Sequence, residues 1–237
     1  MQQIWLLFAF LIPFMIMLTL FVIKGIYPFG DRCFLFSDMY HQYMPFFSEL
    51  LHKVRGGESL SFSFHVGIGS NFLALFVYYL ASPFHIFSLL VPEKYLIEFM
   101  SYLVVIKIGL AGLTSYYYLW KRGMGEETAV PPRRDIGWGA LFFSGFYALS
   151  GFMAAYNYNI MWVDCVVLLP LIVLGLEKLV KERQCGLYCV TLGLSIFTNY
   201  YISIMTCIFM ALYFIALLVL ERNMTWEKFV SRCFFFG

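Results

Sequence analysis

Charge is what this sequence has least of. Only 13% of its 237 residues are Asp, Glu, Lys or Arg, against about 25% in an ordinary soluble domain, so polar surface is too scarce to cover a water-soluble globule. The net charge is +2, and the basic residues fall in short loops rather than in a patch interleaved with aromatics, which argues against a nucleic-acid partner. Cysteines in useful spacing are missing too. Cys33, Cys165, Cys185, Cys189, Cys207 and Cys233 form neither a zinc motif nor a secreted disulfide framework, and most of them read as small buried hydrophobes. His41, His52, His65 and His85 lack the mutual spacing of a metal site and read as interfacial side chains. Gly67-Ile68-Gly69-Ser70-Asn71 has no preceding strand and no phosphate-binding helix after it, so it reads as a turn and not a nucleotide loop. The first apolar run has no basic leader and no small-residue cleavage site, and reads as a retained span.

What the chain does have is hydrophobicity: 62% of residues are hydrophobic, 21% aromatic, and the mean hydropathy is +0.79. Apolar runs occupy residues 4–23, 72–91, 97–120, 136–155, 162–180 and 187–220, and a bilayer needs about 20 residues of helix to cross. The last run is too long for one span. Thr198-Asn199-Tyr200-Tyr201 divides it into helices near 187–198 and 202–220, the first short enough to line a cavity or lean on its neighbours. The reading is an all-α, polytopic integral membrane protein.

Three basic clusters set the topology: Lys121, Arg122, Arg133 and Arg134 around Pro131-Pro132; Lys178, Lys181 and Arg183; and Arg222, Lys228 and Arg232. The positive-inside rule puts them in the cytoplasm and the uncharged turn at 156–161 outside. Segment 24–70 carries four basic and four acidic residues; its Lys/Arg count mildly favours the cytoplasm, but charge alone does not settle its side. If residues 72–91 cross the membrane, that segment is cytoplasmic. If they dip in and return, it is extracytoplasmic. Tyr78-Tyr79-Leu80-Ala81-Ser82-Pro83-Phe84-His85 is a polar, proline-broken centre, which backbone at membrane depth tolerates only beside protein or a wet cavity. Residues 39–54 have helical periodicity, with Tyr43, Phe46, Phe47, Leu50, Leu51 and Val54 on one face and Gln42, Glu49 and Lys53 elsewhere on the wheel. Gly56-Gly57 ends this helix, which is expected to lie at the membrane surface. The closing Cys233-Phe234-Phe235-Phe236-Gly237 looks like the start of another run, so a longer protein is expected.

Two carboxylates stand beside membrane boundaries among aromatics and amides: Asp38, in Ser37-Asp38-Met39-Tyr40-His41-Gln42-Tyr43, and Asp164, in Asn157-Tyr158-Asn159-Ile160-Met161-Trp162-Val163-Asp164. Ionisable groups there are expensive and invite a functional reading. The plainer reading is that Asp38 caps the following helix and that Asp164 favours the positive end of its own. Lys107, mid-run, either snorkels or faces a buried anion.

Asp38-Met39-Tyr40-His41-Gln42-Tyr43 with Phe46-Phe47, Ser61-Phe62-Ser63-Phe64 with Gly67-Ile68-Gly69, Tyr78-Tyr79-Leu80-Ala81-Ser82-Pro83-Phe84, Asn159-x-x-Trp162-x-Asp164 with Pro170, and Thr198-Asn199-Tyr200-Tyr201 together resemble the bacterial YfhO family along nearly the whole chain. That family is similar to the GT-C class of membrane glycosyltransferases, which take sugar from a polyprenyl-phosphate carrier. The resemblance implies a GT-C-like helical bundle with membrane-parallel or re-entrant helices in a first outer loop at 24–96. It implies Asp38 as the catalytic base, and His41, Gln42, Tyr43, His65, Tyr78, Tyr79, Asn159, Asp164, Asn199, Tyr200 and Tyr201 as substrate-binding residues. Arg32, His41 and His65 are candidate donors to the leaving phosphate. A divalent metal would fall at Asp38 or Asp164, although no metal triad is matched. The expected partners are membrane lipid, a polyprenyl-phosphate sugar and a cell-envelope acceptor such as teichoic acid. The competing reading is a polytopic transporter or lipid flippase without covalent chemistry, since transporters also use broken helices.

Overall fold

The computed structural model describes residues 2–124 and 136–220; Pro131, Pro132, Arg133, Arg134, Arg222, Lys228, Arg232 and Cys233 lie outside them. The described residues are helical wherever they are regular, apart from two isolated bridges. Five helices are long and apolar enough to cross a membrane. The first is α1 (Gln2–Lys24), exposed along most of its length as a lipid-facing helix would be. It lies on α4 (Leu96–Met124), where Gly112 lets the Ala9 carbonyl and Pro13 approach. A short α5 (Ile136–Ala148) and α6 (Gly151–Tyr156) follow, with the Ser150 hydroxyl capping α6, and count together as one span. Then come α7 (Ile160–Glu182) and α9 (Tyr200–Leu220). Between these two, α8 (Gly186–Thr198) has 13 residues, roughly 20 Å of helix against about 30 Å of hydrocarbon. The long apolar run is thus divided where the sequence indicates.

Side-chain contacts fix the helix directions. Phe21 meets Tyr102 while Ala9 lies against Gly112, so α1 and α4 are antiparallel, and Trp5 meets Trp138 of α5. Lys107 reaches Asp164 and Tyr118 reaches Glu177, so α4 and α7 are parallel. Gly175 lies against Tyr188 while Cys165 lies against Thr198, so α8 runs back along α7. Lys24, Leu96 and Asn159 therefore share one end of the bundle, while Trp5, Lys121, Lys178 and Arg183 share the other. Segment 25–95 leaves and rejoins the bundle at its Asn159 end, where the Tyr102 hydroxyl donates to the Tyr27 carbonyl at 3.1 Å.

That segment holds a π-helical turn (Met39–Tyr43) running into α2 (Met44–Gly56), which Gly57 ends at φ 67°. A hairpin closed by a Ser63–Ser70 bridge follows, turning at Gly67-Ile68-Gly69 as expected. Next comes a bent pair: a first arm (Phe72–Leu80), whose opening turn is α3 (Phe72–Leu75), and a second arm (Pro83–Leu90), with 108° between them. The break has a local cause. Pro83 disfavours helical geometry at the residue before it, and Ser82 is extended, its hydroxyl accepting from the Phe84 amide at 3.3 Å to start the second arm. Met39, Phe47 and Leu51 pack with Phe72 and Leu80 onto Met100, Val104 and Ile160, so the outer segment shares one apolar core with α4 and α7.

Two expectations need correction. Glu49 and Lys53, assigned by the helical wheel away from the apolar face, are buried. The hairpin covers them and supplies Ser63 and His65 as partners to Glu49, a long-range contact that a wheel does not contain. The cysteines are less buried than expected: among the described residues only Cys165 is, while Cys33 and Cys189 are exposed.

Candidate functional site

Asp38 is half-buried and makes no capping hydrogen bond to the turn it precedes. Its carboxylate accepts only a long contact, 3.5 Å, from the Gln42 amide, and Gln42 Oε1 accepts from the Tyr79 hydroxyl at 3.2 Å. Tyr43, one helical turn on, donates to Asn159 Oδ1 at 2.5 Å and packs its ring 5.4 Å from that of Tyr79. Burial, and then the charge of Asp38, push the Tyr43 phenol well above its usual range, so it remains a donor. The aromatic series continues through Tyr78, at 4.5 Å from Tyr79, to Tyr200, at 5.5 Å from Tyr78. Tyr201 stacks on Trp162 at 5.9 Å. Asp38, Gln42, Tyr43, Tyr78, Tyr79, Asn159, Tyr200 and Tyr201, from four separate stretches of chain, thus gather at one end of the bundle with a carboxylate that has free lone pairs.

Asn199 belongs to the same assembly. It is fully buried in the extended link between α8 and α9, with φ −161°. Its Nδ2 donates to the Tyr78 carbonyl at 3.2 Å and its Oδ1 accepts from the Ile202 amide at 3.0 Å, capping α9 and tying the link to the first arm. Beneath it Cys165 lies 3.7–3.9 Å from the Ser203 and Thr198 hydroxyls and the Ser195 and Asn199 carbonyls, so the backbone exposed by the break meets polar atoms.

Asp164 lies five residues beyond Asn159 on α7, roughly 7 Å deeper at 1.5 Å per residue. Lys107, with no exposure, donates from Nζ to Asp164 Oδ2 at 2.9 Å, to the Ile160 carbonyl at 2.9 Å and to His85 Nε2 at 3.3 Å. The His85 ring proton is thereby assigned to Nδ1, which faces the Leu80 carbonyl at 3.3 Å. His85 is buried and not interfacial as the sequence reading had it, because the second arm folds back under α2. This centre pins the break of the bent pair to α4 and α7. Lys107 faces the buried anion that one reading of the sequence foresaw. Asp164 Oδ1 is buried with no hydrogen-bond partner.

The remaining expected residues make no hydrogen bond or ion pair with the Asp38 carboxylate. His41 is exposed with its ring against Tyr40, and Arg32 is exposed. His65 donates from Nδ1 to the Glu49 carboxylate at 2.8 Å. Burial raises the Glu49 carboxyl, but its bonds to Ser63 and His65 and the charges of His65 and Lys53 outweigh this and hold it below its usual range. Asp38 and Asp164 share no recorded contact, and Asp164 is committed to an ammonium, so the pair does not fit a shared metal ion. Among the described residues no group of three or more His, Cys, Asp or Glu side chains is arranged for a metal. Sequence reasoning missed the cluster of Glu49, Lys53, Ser63 and His65. The signal available was two opposite charges spaced i, i+4 on the same helix.

No curated protein and no solved structure matches the chain. A family model described as bacterial membrane protein YfhO matches residues 9–236.

Proposed function

The chain belongs to the YfhO family of bacterial membrane proteins, and from that premise we propose that it is a GT-C-like glycosyltransferase, moving a sugar from a polyprenyl-phosphate donor to an extracytoplasmic acceptor such as a teichoic acid. The observation that carries this reading is Asp38: a carboxylate that caps nothing, held at the end of the Tyr79–Gln42 chain among stacked aromatics. The Tyr43–Asn159 bond favours the outer face, because it joins the Asp38 segment to the uncharged turn that the positive-inside rule puts outside. The common end shared by Lys24 and Leu96 favours a bent pair that re-enters without crossing.

In the reaction Asp38 takes the proton of the acceptor hydroxyl as that oxygen bonds to the sugar's anomeric carbon. The bond from that carbon to the donor's phosphate oxygen breaks, and its electron pair leaves on the lipid phosphate. A general base of this kind contributes about 10²–10⁴ in rate. Gln42 orients the carboxylate, and Tyr43 and Asn159 hold the turn that carries it. Tyr78, Tyr79, Tyr200 and Tyr201 supply faces for sugar and lipid, with Asn199 holding Tyr78. Asp164 acts through Lys107 as a positioning residue. His41, exposed on the same turn as Asp38, is the donor toward the leaving phosphate, while His65 is held by Glu49. A divalent ion, if one takes part, has Asp38 and not Asp164 as its carboxylate.

Incubation of the whole protein with a labelled polyprenyl-phosphate sugar and cell-envelope acceptor tests this: label should pass to the acceptor, and Asp38→Asn should lower the rate at least a hundredfold without changing membrane insertion. Full activity in Asp38→Asn removes the base. The two interrupted helices meeting at Asn199 and Tyr78 favour a transporter or flippase as the second reading; movement of intact lipid with no acceptor labelled would select it.

A further inference from the structure

At the far end of α2 from Asp38 lies a cavity of about 280 Å³. Leu50 and Val54 of α2 cover it, Ala81, Ile86 and Leu89 around the break of the bent pair form one side, and Phe197 of α8 forms another. Its wall is almost entirely carbon. Val54, Ile86 and Phe197 are themselves exposed, so the cavity opens sideways. The opening lies where α8 stops one residue after Phe197, too short to cover that flank of the bundle through the bilayer. Water entering such a space finds no polar partners, whereas a hydrocarbon chain matches the wall.

A cation stands at the rim. Arg55 follows Val54, and its Nη2 donates to the Val91 carbonyl at 2.6 Å and the Leu89 carbonyl at 3.5 Å. Its side chain is exposed, and among the described residues no carboxylate pairs with it, because Glu58 is taken by His52 and Lys53. Val91 stands two residues before the apolar stretch Glu93–Gly123 that is long enough to cross a bilayer, so Arg55 sits beside the end of that stretch. An unpaired guanidinium beside an apolar cavity there matches a phosphate with an alkyl chain attached.

We infer that this chain holds one anionic phospholipid there, a chain of the lipid in the cavity and its phosphate on the free N–H groups of Arg55. The phosphate position at Arg55 lies roughly 18 Å of helix beyond Tyr43 along α2, while the apolar wall adjoins Tyr79 through Leu80. The lipid site does not depend on the glycosyltransferase reading.

Native mass spectrometry of the whole protein, exchanged from detergent into phosphatidylglycerol, phosphatidylcholine or polyprenyl phosphate, tests the inference. The protein should retain one phosphatidylglycerol at least tenfold more tightly than phosphatidylcholine. Arg55→Gln should lose about tenfold of that preference, as expected for a charge-assisted pair. Arg55→Lys should keep most of it, and Asp38→Asn should leave it unchanged. Ala81→Phe, which fills the cavity, should abolish retention, with Ile86→Trp as a second variant if Ala81→Phe does not fold. Equal retention of the two phospholipids, or retention unaffected by Arg55→Gln or by both cavity variants, would overturn it. So would polyprenyl phosphate displacing phosphatidylglycerol from the cavity, which would assign the space to the donor.

Discussion

Lys107→Met is the most informative single change in the bundle. It keeps the length of the side chain and removes its charge, so three groups lose a donor at once: Asp164 Oδ2, the Ile160 carbonyl and His85 Nε2. Since Asp164 Oδ1 already has no partner, the carboxylate is left buried with nothing to neutralise it. An exposed ion pair broken this way costs at most about 1 kcal/mol, but removing one member of a buried pair costs about 3–5 kcal/mol. With about 2–4 °C per kcal/mol for a chain of this size, the midpoint of thermal unfolding should fall by roughly 6–20 °C. Tryptophan fluorescence in detergent reads this directly. The double variant Lys107→Met/Asp164→Leu, which removes both charges, should recover at least half of the loss. Ordinary interhelical hydrogen bonds couple by about 0.6 kcal/mol on average in membrane proteins. A Lys107–Asp164 coupling above about 2 kcal/mol is therefore the signature of the buried charge pair, and one below about 0.5 kcal/mol would refute the reasoning.

Tyr43→Phe deletes the bond to Asn159 and should cost about 1–3 kcal/mol, because the buried amide oxygen loses its donor; a midpoint unchanged in Tyr43→Phe would show the bond to be incidental. Glu49 gives a pH signature. Its carboxyl is held below the usual range in the folded protein, so its contribution to stability is complete above the ordinary value of 4.5 and fades as pH falls through the lower folded value. The protection of amides across residues 63–70 against hydrogen exchange, relative to the intrinsic rate at each pH, should fall on acidification in the wild type and show no such step in Glu49→Gln. Gly175→Ala should separate α7 from α8, because a Cβ there would stand 2.6 Å from the Tyr188 backbone nitrogen. The expected loss is about 1–3 kcal/mol, read as a lower unfolding midpoint.

The contrast between Ser82 and Glu49 marks how far the sequence could be read. Ser82-Pro83 carries its own instruction, a cap followed by a residue that disfavours helix before it, so the break of the 72–91 run was legible and the structure has it. Thr198-Asn199-Tyr200-Tyr201 likewise gave away the α8–α9 division, and Gly56-Gly57 the end of α2. Glu49 and Lys53 misled because a helical wheel knows only its own helix, and their burial is decided by a hairpin that starts more than ten residues away. The angle of 108° between the arms was equally out of reach, since it follows from packing on α4 and α7.

For the candidate site, the residue types and their order were present in the chain, including Asp38, the paired tyrosines and the two asparagines. Their convergence was not: Tyr43 and Asn159 are 116 residues apart and Asn199 and Tyr78 are 121 apart, and no local propensity spans such distances. Composition by itself determined that this is a helical membrane protein, because scarce charge and long apolar runs leave the chain no other solvent. Only the tertiary structure decided that Asp164 turns inward to Lys107 while Asp38 stays open. Which carboxylate finds a cation depends on what the other helices bring within 3 Å, and that is a property of packing.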